Sequence, residues 1–428
     1  MSACVEPANL SSGDEVGDSS VGTLVVEASI TDNVETQWVF ISRMLQIESD
    51  STVNVAEDAL FSANTPFIVE NGLGTDVESN AIVEITDATG RMYRFQEVEP
   101  GSYASLQPFA ALAGSSYELQ VTTDDGERYN AATEAQTQTA RIDRVYAERV
   151  VNGSGQEGIG IFIDATTDAN ENTQIRYSYE ETYKIIAPNW TPLEFEIISE
   201  GNPAIGIPPV VTTVPRAQEE RVCFRTDLST TLLLNETELL EGNTIERNRV
   251  RFLANDNPII AHRYSILVKQ SVLSQEAFGF YERLANFSSS ESLFSQVQPG
   301  KIEGNVTNTT GTDDVIGLFE VVSESSQRLF FNYTDFYPNE PLPPFFDTEF
   351  NCDRLLSPVL LDPELDGEIP PNGGCAQPLV ERIKLGLIEY VSENDNPAIC
   401  QGPYFVTPRI CGDCTVIGSN VVPDFWVE

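Results

Sequence analysis

Ala81–Phe95 reads AIVEITDATGRMYRF. Ala81-Ile82-Val83-Glu84-Ile85 follows the period of two that marks a half-buried strand. Asp87-Ala88-Thr89-Gly90 is a turn signal, and Met92, Tyr93 and Phe95 open a return strand. The same grammar extends outward on both sides. Downstream, Pro100-Gly101-Ser102-Tyr103 turns again, Tyr117–Val121 is a strand, and Asp124-Asp125-Gly126 closes it. Upstream, Leu24–Ile30 and Trp38–Ile41 are strands. Short strands separated by Gly and Asp turns predict a β-sandwich over residues 22–140.

Past Arg141 the strand pattern resumes at Arg141–Val145, Gly158–Asp164, Ile175–Tyr183, Arg221–Phe224 and Tyr264–Lys269. Residues 187–215 form a Pro-rich stretch around Trp190. One helix is expected, with Ser274 as N-cap and Ala277, Phe280, Tyr281, Leu284 and Phe287 as its apolar stripe. Gly317–Val322 and Arg328–Phe331 read as two further strands, and 379–391 fits either strand or helix.

The chain has 428 residues, 24 Lys+Arg against 66 Asp+Glu, and a formal net charge of −42. Such a surface repels nucleic acid, and no basic stripe interleaved with aromatics occurs. His262 is the single histidine, which excludes a multi-histidine metal site. It reads as a structural imidazole. No run of 18 apolar residues is present. Of the seven cysteines, Cys4 stands apart. Met1-Ser2-Ala3-Cys4 reads as the end of a bacterial lipoprotein signal, with Cys4 as the lipidated thiol. Residues 5–21, rich in Ser, Gly and acids, then form a flexible tether that completes a 1–21 anchor segment. The remaining Cys223, Cys352, Cys375, Cys400, Cys411 and Cys414 are even in number and read as disulfides in an oxidising compartment. Cys411-Gly412-Asp413-Cys414 also has the spacing of half a zinc site, but no second C-x-x-C pair exists.

The 22–140 pattern resembles immunoglobulin- and transthyretin-like sandwiches. A fuller resemblance covers nearly the whole chain. Cys4 followed by Leu24–Asp32 (LVVEASITD), then Tyr177–Tyr183 (YSYEETY), Tyr264-Ser265-Ile266 and Gln270–Phe278 resemble the ordered blocks of the Bacteroidota lipoprotein family known as domain of unknown function 4249. Leu293-Phe294, Gly304-Asn305-Val306, Val315–Phe319, Cys411–Cys414 and Pro423–Trp426 are similar too. Phe224 departs from it, standing where a Trp often follows the cysteine. The resemblance implies an outer-membrane, cell-surface lipoprotein without established enzymatic activity, often encoded beside TonB-dependent receptors. It implies an outer-membrane β-barrel transporter as partner.

Candidate sites are few. No local spacing selects a carboxylate pair for glycoside hydrolysis, and neither G-x-S-x-G nor a P-loop occurs. Asp168–Asn172 mimics the start of a calcium loop, yet Thr173 and Tyr179 stand where Gly and Glu are required. No cofactor is expected, and a weak calcium site from other loops stays open. Residues 330–350 hold eight aromatics in 21 residues, against about two expected at the chain's 9%. Tyr333, Phe336, Tyr337, Phe345, Phe346 and Phe350 lie among Pro338, Pro341, Pro343 and Pro344. Aromatics on a Pro-stiffened loop suit a contact surface, because ordering such a loop costs little entropy. The competing expectation is a loop folded onto its own domain.

The sequence thus predicts a mostly β protein: a sandwich over 22–140, then a larger β-rich domain over 141–428 with one packed helix and a disulfide-stapled C-terminal region. The expected role is a non-catalytic partner of a transporter. A free-standing glycan- or protein-binding module is the alternative, and a hydrolase the distant third.

Overall fold

The computed structural model describes residues 23–44, 75–167, 173–202, 207–236, 243–288, 304–311, 315–346, 352–360, 378–398 and 400–428. It is mostly β, as the patterning predicts. Strand β1 (Leu24–Thr31) buries Leu24, Val26, Ala28 and Ile30 on one face and turns Val25, Glu27 and Ser29 to the other. There follow β2 (Trp38–Met44), β3 (Thr75–Val77), β4 (Ile82–Asp87), β5 (Met92–Glu99), β6 (Ser102–Ser105), β7 (Ser116–Thr122) and β8 (Arg128–Glu134). They are hydrogen-bonded in the order β1-β2-β6-β5-β4-β7-β8, with β3 on β2. Their inward residues, among them Ile85, Tyr103, Tyr117, Leu119 and Tyr129, form the first core.

The second part opens with β9 (Ala140–Val151), β10 (Glu157–Thr167) and β11 (Gln174–Ile186). The Pro-rich stretch contains a hairpin, β12 (Leu193–Ser199) with β13 (Val210–Pro215). Then come β14 (Val222–Leu228), β15 (Leu233–Glu236), β16 (Thr244–Ala254), β17 (Arg263–Leu273), helix α1 (Gln275–Ser288), β18 (Thr307–Asn308) and β19 (Val315–Asn332). A three-stranded sheet, β16-β10-β9, faces β14-β11-β17-β19 across the second core. That core includes Ile159, Ile161, Ile163, Tyr177, Ile266 and Val268.

One strand belongs to both parts. The sequence reads 317–322 and 328–331 as separate strands, but β19 runs unbroken for 18 residues. Val315–Val322 pairs parallel with β1, and Ser323–Asn332 pairs antiparallel with β17. The polar stretch between is not a loop, because it holds neither Gly nor Pro and its groups are engaged. Glu324 N–H donates to Asp32 Oδ1 at 2.9 Å, and Ser325 Oγ accepts from Ile142 N–H at 3.0 Å. Phe319 and Val321 therefore complete the first core, joined there by Val306. That core is thus not built from residues 22–140 alone. The Gly304-Asn305-Val306 block finds its reason here. A Cβ at Gly304 would lie 1.7 Å from Gly317 O. Asn305 accepts from Phe319 N–H at 2.8 Å and donates to Phe319 O at 2.7 Å.

The opposite face of β19 is covered by α1. Ser274 Oγ accepts from Ala277 N–H at 3.1 Å, the expected cap. Ala277, Phe280 and Tyr281 pack on Leu318 and Val322. Beneath the helix, Arg176 of β11 reaches Glu320 at 2.9 Å, Tyr281 Oη donates to the same oxygen at 2.9 Å, and the guanidinium lies 4.4 Å from the Tyr281 ring centre. Glu27 of β1 faces this cluster. Burial pushes its carboxyl up to about 7, opposed by Arg176 and reinforced by Glu320.

The last region comprises short helices α2 (Tyr333–Phe336), α3 (Leu379–Lys384) and α4 (Arg409–Gly412), with hairpin β20 (Ile388–Glu393) and β21 (Tyr404–Pro408). The ambiguous 379–391 segment is both helix and strand, switched by Gly386 at φ +62°. Cys223 bonds to Cys414, 191 residues away, and Cys352 bonds to Cys411. Cys411 and Cys414 thus take different partners, which removes the half-zinc alternative. Cys400 is also disulfide-bonded, and Cys375 lies outside the described residues.

Two outcomes follow. Non-reducing peptide mapping should recover 223 linked to 414 and 352 linked to 411; loss of either bond should cost about 2–5 kcal/mol. Between pH 4.5 and 7 the folded chain holds a Glu27 proton that the unfolded chain releases, so this group's stabilisation falls as pH rises through that window. In urea titrations, Glu27→Gln should therefore gain on the wild type from pH 5 to above pH 7.

Candidate functional site

The YSYEETY segment lies on β11, and strand alternation divides it. Tyr177, Tyr179, Glu181 and Tyr183 point into the second core, while Ser178, Glu180, Thr182 and the following Lys184 point out. Inside, Glu181 takes two hydrogen bonds from Arg251, at 3.1 and 2.9 Å, and a third from Tyr264 Oη at 2.7 Å. A buried charge held this way makes a one-residue slip of β11 costly, since it would expose the tyrosines and strand Arg251.

Outside, the register sets several of the chain's few cations on one sheet face. Lys184 on β11, Arg263 and Lys269 on β17, and Arg328 on β19 share it. Lys269 pairs with Glu180 at 2.9 Å. Lys184, His262, Arg263, Asn332, Tyr333 and Leu342 line a shallow cleft of about 330 Å³. Burial, and then the charge of Lys184, push the His262 imidazole below its usual range. Lys184 Nζ donates to both carboxylate oxygens of Glu428, at 2.9 and 3.1 Å. Arg263 Nε donates to Val427 O, and its Nη1 donates to Asn332 Oδ1 at 3.3 Å. The hydrogen bond from Lys184 holds the Glu428 carboxyl below the ordinary range. The cleft thus presents fixed cationic donors, which here hold the chain's own Glu428 carboxylate and Val427 carbonyl.

The aromatic segment has a different role from the contact surface expected of it. Tyr333 and Tyr337 are buried, Tyr337 at 0% exposure, and stack at 4.9 Å. Phe336 meets Phe331 edge-on at 5.3 Å. Phe345 and Phe346 are half-buried against the second core, and Phe346 stacks on Tyr183 at 5.7 Å. The prolines do keep this stretch out of the sheet, but the rings close the end of the sandwich. Their partner is the domain itself. Phe350, Cys4 and Asp168–Asn172 lie outside the described residues. Lys184, Arg263 and their contacts with Glu428 and Val427 escaped the sequence reading. Only the small number of cations could have pointed to them.

A family model described as Domain of unknown function (DUF4249) matches residues 14–328. The match includes β11 and β17 and ends within β19. No curated protein matches the chain.

If the rings serve packing, Tyr337→Ala should cost about 3–5 kcal/mol, the range for truncating a buried aromatic. The half-exposed pair Phe345→Ala and Phe346→Ala should cost less per residue. Chemical denaturation of the three variants decides it; a Tyr337→Ala chain as stable as wild type would contradict the assignment.

Proposed function

We propose that the chain, which belongs to the family Domain of unknown function (DUF4249), is a lipid-anchored outer-membrane lipoprotein of Bacteroidota type. Its role in this reading is a non-catalytic binding partner of a TonB-dependent outer-membrane transporter. One observation supports the binding role: the cleft in which Lys184 and Arg263, the latter oriented by Asn332, grip a carboxylate and a carbonyl through fixed hydrogen bonds. Export is supported by the oxidised pairs Cys223–Cys414 and Cys352–Cys411, since such bonds persist in oxidising compartments. Anchoring rests on Cys4 and the polar residues after it. A diacylglycerol thioether with a second acyl signal at Cys4 is enough for stable attachment, because each buried methylene contributes about 0.8 kcal/mol.

Expressed behind a full lipoprotein signal, the wild type should fractionate with outer membranes and Cys4→Ser should become soluble. Mass spectrometry of the membrane form should show lipid on Cys4. Affinity purification from native membranes should recover a β-barrel transporter. Unmodified Cys4 in membrane-bound protein would sink the anchor, and recovery of no barrel would sink the partnership.

A further inference from the structure

Residues 423–428 lie across the outer face of β14, β11, β17 and β19 as a docked peptide rather than as a strand. Trp426 sits edge-on between Phe224, at 4.9 Å, and Phe330, at 5.8 Å. The Arg328 guanidinium lies 3.6 Å from the Phe425 ring centre. Val427 O takes the hydrogen bond from Arg263, and Glu428 the two from Lys184. The backbone N–H of Trp426 turns back to Pro423 O at 2.9 Å instead of joining the sheet. The segment is therefore read by side chains, one for each of its chemical features.

Its hold is shallow. Phe425 is 38% and Val427 58% exposed. A Lys–Glu pair whose carboxylate is exposed contributes little in water. What keeps the segment in place is proximity. Ser419 exchanges backbone hydrogen bonds with Phe224 at 2.8 and 2.9 Å, and Cys414 is bonded to Cys223 on the same strand. A tether that short gives its ligand a high effective concentration, so modest contacts suffice to fill the site.

We infer that this sheet face is a peptide-recognition site whose ligand class is two adjacent aromatic residues followed, one residue on, by a carboxylate. Residues 423–428 fill it in cis, and a partner's exposed segment of the same chemistry replaces them. Phe224 and Phe330 take the second ring, Arg328 the first, Arg263 a carbonyl and Lys184 the acid. The charge of the body narrows the class further. At −42 it repels a polyacidic segment, so the partner segment carries few carboxylates, as residues 423–428 do with Asp424 and Glu428. The partner follows from the binding role proposed above, but the site itself is testable without membrane or transporter.

The probe is the fluorescently labelled peptide Pro-Asp-Phe-Trp-Val-Glu, amidated so that its only C-terminal-side carboxylate is the Glu side chain. Fluorescence anisotropy compares the wild-type chain with Trp426→Ala, whose own segment is weakened. The peptide should bind the variant saturably and about tenfold or more tighter than wild type, where the resident segment competes. Adding Lys184→Ala, or replacing the Trp of the peptide by Ala, should abolish most of that gain. If Trp426→Ala does not fold, the chain with Phe425→Ala and Glu428→Gln, both at exposed positions, is held to the same criterion. Equal binding to wild type and variant, or binding indifferent to the Trp and Glu of the peptide, overturns the site. A wild-type dimer exchanging the segment between copies, seen by sedimentation, overturns the partner reading. Transporter capture that fails while the peptide binds refutes the proposed function and leaves the site standing.

Discussion

Everything in this molecule hangs on the change of partner along β19. Its first eight residues pair with β1 and its last ten with β17, so one backbone is hydrogen-bonded into both sandwiches. Phe319 and Val321 serve one core, Leu318 and Val322 the helix on the other side, and Phe331 the second core. A strand with so many obligations has one register that satisfies all of them. Shifting it by one residue would exchange Phe319 with Glu320 and put a carboxylate into the first core.

Charge reinforces that register where apolar contacts alone would leave it loose. Among the inward-facing ion pairs of the described residues, Arg251 with Glu181 and Arg176 with Glu320 each join strands distant in sequence. Buried pairs add little net stability against a well-packed apolar alternative, but breaking one strands a charge. In an acidic chain they act as keys: each arginine fits one carboxylate position, and each carboxylate is also hydrogen-bonded by a tyrosine.

Much of the fold is legible in local pattern, and the failures share a cause. β1, β4, β7 and the Ser274-capped helix follow from periodicity and turn chemistry, which act over a few residues. Ser323–Gln327 reads as a loop because polarity is a local signal, whereas Asp32 and Ile142, which satisfy its groups, are far away in sequence. The aromatic excess at 330–346 is a true signal, but residue type does not say whether a ring faces its own core or another molecule. The Lys184–Arg263 cleft was invisible for a related reason. Lys184, Arg263 and Glu428 lie on segments that only the sheet register and the Cys223–Cys414 bond bring together.

The position of β1 has a mechanical consequence. It is the first described strand, yet it lies inside the sheet, parallel to β19 on one side and antiparallel to β2 on the other. A pull along its axis from residue 23 would not peel it away bond by bond. The load would fall on both ladders together, a shear geometry in which many hydrogen bonds must fail at once. Because one of those ladders is β19, the force would pass straight through the first sandwich into the second, making the chain a tension-bearing link rather than a bead on a string.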